Sequence, residues 1–269
     1  MLRRNHEFVY QLFALLVAVI VIHGVYVGII RPGATAHLEA ELAMQESDES
    51  FVSERSLYVI LKDYEQEVCI ILSLWALAIM AYKARHNLAE KKLLESSLLN
   101  VSDGTRILPE DTRALLRPVQ ALPEEQQYFL LPRALTAALQ RFGATGDIAD
   151  ASTAIKELCD TENDRLDSEL SMVRYIAWAI PAVGFIGTVR GMGDALGQAH
   201  RAVEGDIAGV TASLGVAFNS TFVALVVSII MMFFMHQLQL AQERLVLDTQ
   251  NYGDRNLIRH LKGGGRDAA

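Results

Sequence analysis

The chain has 269 residues, of which 51% are hydrophobic and 7% aromatic, and its mean hydropathy is +0.22. The formal net charge of −8, from 24 basic and 32 acidic side chains, argues against a nucleic-acid-binding surface. Two isolated cysteines, Cys69 and Cys159, give neither a disulfide framework nor a metal or redox spacing. The apolar residues are concentrated in uncharged runs, of 23 residues from Phe8 to Ile30 and 29 from Ile207 to Met235. About 20 apolar residues cross the hydrocarbon core of a bilayer. A disordered chain and a collagen-like chain are therefore excluded, and a purely soluble enzyme is disfavoured.

In chain order, Phe8–Ile30 is expected to be the first membrane span, stopped by Arg31-Pro32-Gly33. Its apolar run exceeds the 7–15 residues of a signal-peptide core, so an uncleaved span is expected. A second span is predicted within 57–82. There Leu57–Leu61 continues the apolar character of Val68–Tyr82, and Lys62, Asp63, Glu65 and Glu67 interrupt it, as in a helix that projects beyond the bilayer. Tyr175–Val189, running on to about Ala195, is the third span, and Ile207–Met235 is the fourth.

Lys and Arg counts orient the spans. The tail after Met235 carries five and the segment 83–174 carries twelve, whereas the 31–55 loop carries two against six acids. Both termini and the 83–174 segment are expected in the cytoplasm. The expected organisation is a short N-terminus and first span (1–30), a periplasmic loop (31–56), a second span (57–82), a helical cytoplasmic segment (83–171), a two-span core (172–235) and a C-terminal helix and tail (236–269).

In the cytoplasmic segment, Pro109-Glu110-Asp111 and Pro123-Glu124-Glu125 read as first helical turns. Gly143–Asp147 reads as a break. Ile148, Ala151, Ile155 and Leu158 then recur at helical spacing, leading into span three. On span four, Ser213, Ala217, Ser220, Thr221, Ala224 and Ser228 form a small or hydroxylated face opposite Phe218, Phe222, Leu225, Ile229, Met232 and Phe233. On span three, Ala177, Pro181, Gly184, Thr188 and Gly191 line one side, with Ile176, Ile180, Val183 and Ile186 on the others. In lipid, small faces meet protein and large faces meet acyl chains. The hydroxyls then serve either as packing groups bonded to their own backbone or as a polar seam along which a partner's ionisable group moves. Asn219-Ser220-Thr221 is the most polar stretch inside any span.

At this point the sequence resembles a known family. Ile180-Pro181-Ala182-Val183-Gly184-Phe185-Ile186-Gly187-Thr188-Val189-Arg190-Gly191-Met192 is similar to the signature of MotA/TolQ/ExbB proton channels, and Leu214–Leu225 resembles the family's last span, with Thr221 at its threonine. The resemblance covers about Asp160 to Met235. It implies an all-α integral membrane protein with four spans and long helical cytoplasmic extensions, assembled as a homopentameric ring in the bacterial inner membrane. The partner it implies is a MotB/TolR/ExbD-like single-span protein with an intramembrane aspartate. Ion flow, of H⁺ first and Na⁺ as the alternative, then drives rotation or mechanical work. Thr188, Thr221, Ser220 and Asn219 are the implied ion pathway, and Pro181, Gly184, Gly187 and Gly191 shape span three.

The chain departs from the family pattern in two places. Gly209–Met235 contains no acid, so the carrier group is assigned to the partner. Arg190 stands inside the Thr-Val-x-Gly motif, with Asp194 one turn later as its expected partner, either as an interfacial pair or as charges at an outer mouth. The Gly191-x-Gly193-x-x-x-Gly197 run lacks the spacing and preceding strand of a nucleotide loop, and neither a Gly-x-Ser-x-Gly nor a His-Glu-x-x-His motif is present. No cofactor or metal is expected. His23, beside the Gly24/Gly28 small-residue motif, is read as a packing histidine, with a proton relay as the alternative. The competing reading of the whole chain is a non-conducting membrane scaffold whose cytoplasmic helices bind a partner.

Overall fold

The computed structural model describes residues 2–47, 56–96, 98–99 and 104–263, and they are almost entirely helical. No strand occurs among them; a single isolated bridge pairs Ile107 with Leu261. Four helical stretches are long and apolar enough to cross a membrane: Glu7–Glu41, Tyr64–Leu94, Ile148–Gly197 and Ala208–His260. The protein is thus an all-helical, multi-pass membrane protein. Its chain divides into one unit of 1–81 and 172–235 and another of 82–171 and 236–269.

In the first unit, α1 (Leu2–Val25) passes through a π-helical turn (Tyr26–Ile30) into α2 (Arg31–Ser47). The helix therefore does not stop at Arg31-Pro32-Gly33 as expected. Proline breaks a helix by lacking an N–H and by crowding the carbonyl four residues back. Here the wide turn absorbs that clash: Arg31 N–H bonds to Tyr26 O, five residues earlier, just before Pro32.

Leu57–Leu61 is also not part of span two. It forms a separate short helix, α3, and α4 (Tyr64–Leu94) begins after a break at Lys62-Asp63. Asp63 is of the residue type favoured just before a helix, and Glu65 and Glu67 occupy the first turn, where the helix dipole favours acids.

Helix α9 (Ser171–Gly197) and helix α11 (Ala208–Asn256) flank the short α10 (Ala199–Val203). The two-faced pattern of α11 holds: Ala217, Ser220, Ala224 and Ser228 are buried while Phe218, Phe222, Leu225, Ile229, Met232 and Phe233 are exposed. On α9, Ile176 and Ile180 are fully buried beside the small residues, contrary to the expected placement, whereas Phe185, Ile186 and Val189 are exposed. A side chain at Gly24 or Gly28 would meet nothing within 4 Å among the described residues, so that motif packs on none of them.

The second unit has its own core. Helix α5 (Thr112–Gln120), preceded by a tight Pro109–Asp111 turn, and the one-turn α6 (Glu124–Gln127) lead into α7 (Leu130–Thr145). Gly146, in the left-handed conformation at φ 69°, ends α7, and Asp147 caps α8 (Ile148–Glu169) by accepting from Ala149 N–H at 2.8 Å. Leu135, Leu139 and Phe142 of α7 pack with Ile155 and Cys159 of α8, and Val246, Leu257 and Leu261 from the C-terminal stretch complete the cluster. The tail is fastened by Ile107 N–H to His260 O at 2.8 Å and Lys262 N–H to Ile107 O at 2.9 Å. Glu162 is buried in this unit and accepts from Arg133 at 2.9 Å and from Arg165.

Phe142 is fully buried in this core. Truncating such a phenylalanine costs about 3–5 kcal/mol. Phe142→Ala is therefore expected to speed amide hydrogen exchange throughout α7 and α8 while leaving exchange in α9 unchanged.

Candidate functional site

The site is built where α9 meets α11. Gly184, Gly187 and Gly191 all lie on the α9 face that touches α11. A Cβ on Gly184 would overlap the Ala224 methyl, one on Gly187 would meet Ser220, and one on Gly191 would come within 2.7 Å of both Ala217 N and Ser213 O. Glycine inside a helix costs roughly 1 kcal/mol relative to alanine. These three positions accept that cost because α11 occupies the space a side chain needs, with the Ala224 and Ser220 side chains at Gly184 and Gly187 and with its backbone at Gly191.

The close approach puts hydroxyls and carbonyls of the two helices in reach of one another. Thr188 Oγ1 donates to Ala217 O on α11 at 3.0 Å, and Thr221 Oγ1 donates to Gly184 O on α9 at 3.1 Å. The two threonine hydroxyls also hydrogen-bond each other. Each hydroxyl has one proton and two acceptor sites. The mutual bond therefore forms in one of two ways: Thr188 donates to Thr221, which donates to Gly184 O, or Thr221 donates to Thr188, which donates to Ala217 O. The pair therefore has two proton arrangements of similar geometry.

The other expected pathway residues divide. Ser220, fully buried, bonds back to Val216 O at 2.7 Å and Ala217 O at 3.1 Å within its own helix, which is the packing role. Asn219 is half-buried and makes no hydrogen bond among the described residues. Pro181 has a definite consequence. It cannot donate to Ala177 O, four residues back, and Ser228 Oγ from α11 donates to that carbonyl at 3.3 Å instead. The helix break is thus satisfied from the neighbouring helix, as membrane helices require.

Arg190 does not pair with Asp194. Its Nε and Nη2 donate at 2.8 and 2.9 Å to the two carboxylate oxygens of Glu65, on α4. Such a two-pronged match of guanidinium to carboxylate is stronger and more directional than an i,i+4 contact across flexible side chains. Glu65 is 9% exposed, and its Cγ would lie 3.1 Å from a Cβ on Gly187. A third helix therefore brings a carboxylate to the seam. Two residues further along α4, Glu67 faces the other way, accepting from Arg31 and pairing with His23 Nδ1 at 2.7 Å. His23 accordingly has a carboxylate partner, which the sequence did not reveal.

Glu65 and Glu67 were read in the sequence only as interruptions of an apolar run. The signal that could have found them was the unmatched Arg190: a charge inside a span needs a countercharge, and α4 holds acids near one end of its apolar stretch. Among the described residues, no cluster of three or more histidine, cysteine or carboxylate side chains could hold a metal ion.

Residues 127–251 match the family described as the MotA/TolQ/ExbB proton channel family. The chain carries a MotA/TolQ/ExbB proton channel family domain. The matched residues contain both threonines and Gly184, Gly187 and Gly191, but neither Glu65 nor His23. Comparison with curated proteins and with solved structures returns no match. The family similarity covers 125 of the chain's 269 residues.

Gly191 and Gly193 separate packing from helix propensity. A side chain at Gly193 would meet nothing within 4 Å. Gly191→Ala must push α9 from α11 and is expected to cost about 1–3 kcal/mol through overpacking. Gly193→Ala is expected to be neutral or stabilising by up to about 1 kcal/mol. Thermal unfolding of the two variants in the same detergent measures the difference.

Proposed function

We propose that this protein is the ion-conducting subunit of a bacterial inner-membrane, ion-driven motor complex, with H⁺ as the ion. Several copies, five in the family pattern, surround a MotB/TolR/ExbD-like partner with a single span and an intramembrane aspartate. Ion transfer through that aspartate drives rotation or mechanical work. Both termini and the 82–171 unit lie in the cytoplasm, in keeping with the Lys and Arg excess of these segments.

The observation that carries this reading is the Thr188–Thr221 hydroxyl pair, joined across α9 and α11 within the family domain. A carboxylate inside a membrane is costly unless it faces polar groups or water. A hydroxyl accepts from the protonated acid and donates to the carboxylate, so one pair serves both states. Both threonines are half-buried rather than sealed, which leaves them reachable from outside the subunit. The small residues around them allow another helix to come close.

The reading is tested by co-expressing the full chain with a single-span, aspartate-bearing membrane protein encoded next to it and following cytoplasmic pH with an internal dye. Wild type should acidify the cytoplasm. Thr188→Val and Thr221→Val keep the side-chain shape and should abolish acidification while the complex still co-purifies. Undiminished flow in both variants removes the seam from the ion path. Assembly with no flow even in the wild type favours the scaffold reading.

A further inference from the structure

We propose that Glu65 sets the charge of the ion path: by holding the Arg190 guanidinium, it keeps the Arg190 end of the Thr188–Thr221 seam passable to a cation. This rests on the reading that the seam carries ions, and adds a specificity-determining residue from a helix outside the family domain.

Position comes first. Arg190 follows Thr188 by two residues, about 3 Å along the helix axis. The stem of Glu65 and the side chain of Ser220 both crowd the place where Gly187 lacks a side chain. Glu65, Gly187 and Ser220 therefore meet at one point, one residue from Thr188. The ion pair is part of the seam's end rather than a distant brace.

Charge comes second. A lone guanidinium at the end of a narrow, low-dielectric passage repels every cation that approaches it, and it stays protonated at any physiological pH. The carboxylate of Glu65 covers two of its five N–H donors, at 2.8 and 2.9 Å. Glu65 is the sheltered member of the pair, while the Arg190 side chain is 43% exposed. The guanidinium therefore faces the open side, and its charge would be felt there if Glu65 were absent. Asp63 and Asp194 also act on Arg190 but make no bond to it among the described residues. These three acids, set against Arg190 and against Lys62, which acts on Asp63, leave one net negative charge at the mouth. A mouth of one sign concentrates ions of the other sign by a factor of about 10–10³. Without Glu65, Arg190 would draw on Asp63 and Asp194 and consume the acids that attract the cation.

The expected order of flow follows from the charge count. Glu65→Gln should lower acidification about tenfold or more. Arg190→Gln leaves the Glu65 carboxylate unpaired but removes the repelling cation, and should lower flow less than Glu65→Gln does. The double variant Glu65→Gln/Arg190→Gln, which restores the wild-type charge sum, should recover flow to within about threefold of wild type. The exchange Glu65→Arg/Arg190→Glu keeps both pair and sum and should do the same. A purely structural ion pair predicts otherwise: both single variants fall alike and the double is no better than either. That pattern overturns the proposal.

Assembly is scored by co-purification with the partner. If Glu65→Gln does not assemble, the double variant and the exchanged pair carry the test, and loss of flow in either assembled complex overturns the proposal. If Thr188→Val and Thr221→Val abolish flow while Glu65→Gln retains it in full, the Glu65 proposal fails and the seam stands. If the threonine variants conduct normally, the seam itself fails.

Discussion

The close approach of α9 and α11 is the constraint on which the rest of the site depends. It exists because Gly184, Gly187 and Gly191 present no side chain to α11. Were the helices held at the usual 8–10 Å separation of larger side chains, Thr188 would not reach Ala217 O, and Thr221 would not reach Gly184 O. Ser228 would not reach the carbonyl that Pro181 leaves without a donor. Each of these bonds crosses from one helix to the other. Glu65 depends on the same absence, since its stem passes over Gly187 on the way to Arg190.

The helix α9–α11 pair was legible in the sequence because its signal is periodic and local. Small residues three or four apart on two apolar helices read as a contact face, and α11 buries Ala217, Ser220, Ala224 and Ser228 as that pattern requires. The sequence pattern places Ile176 and Ile180 on other sides of α9 than the small residues. They are buried because α9 is covered on more than one side, and Cys69 on α4 lies close enough to direct its thiol at the Ile180 carbonyl. A pattern computed along one helix cannot register a second neighbour. The same limit hid the α7–α8 core, which Val246, Leu257 and Leu261 complete from the C-terminal stretch.

Chemistry that depends on tertiary pairing was the least legible. Arg190 has an acid at i+4 in its own helix, and local reasoning pairs it with Asp194. The structure pairs it instead with Glu65, 125 residues earlier, because that carboxylate meets the guanidinium edge with both oxygens. The continuity of the first span through Pro32 has a similar origin. The proline is plain in the sequence, but the π-helical turn ahead of it, which makes it tolerable, follows no residue signature.

Helix α4 joins these observations. Acids two positions apart on a helix point to nearly opposite sides, so Glu65 and Glu67 are directed to different neighbours. Glu65 reaches Arg190 on α9, and Glu67 reaches Arg31 and His23 on the first span. Charged groups this near an apolar stretch are costly unless paired, so each pair also fixes the register of α4 against one neighbour. A slip of one residue along α4 would leave both carboxylates and both arginines without partners. The close approach of α9 and α11 is set by steric fit within the family domain, whereas α4, besides its buried apolar residues, is held against them by a charge pair from outside it. The hydroxyl seam and the acid at its end therefore come from two parts of the chain governed by different physical terms. That is why a variant can disturb the charge at the Arg190 end of the seam while the glycine-dependent contact persists.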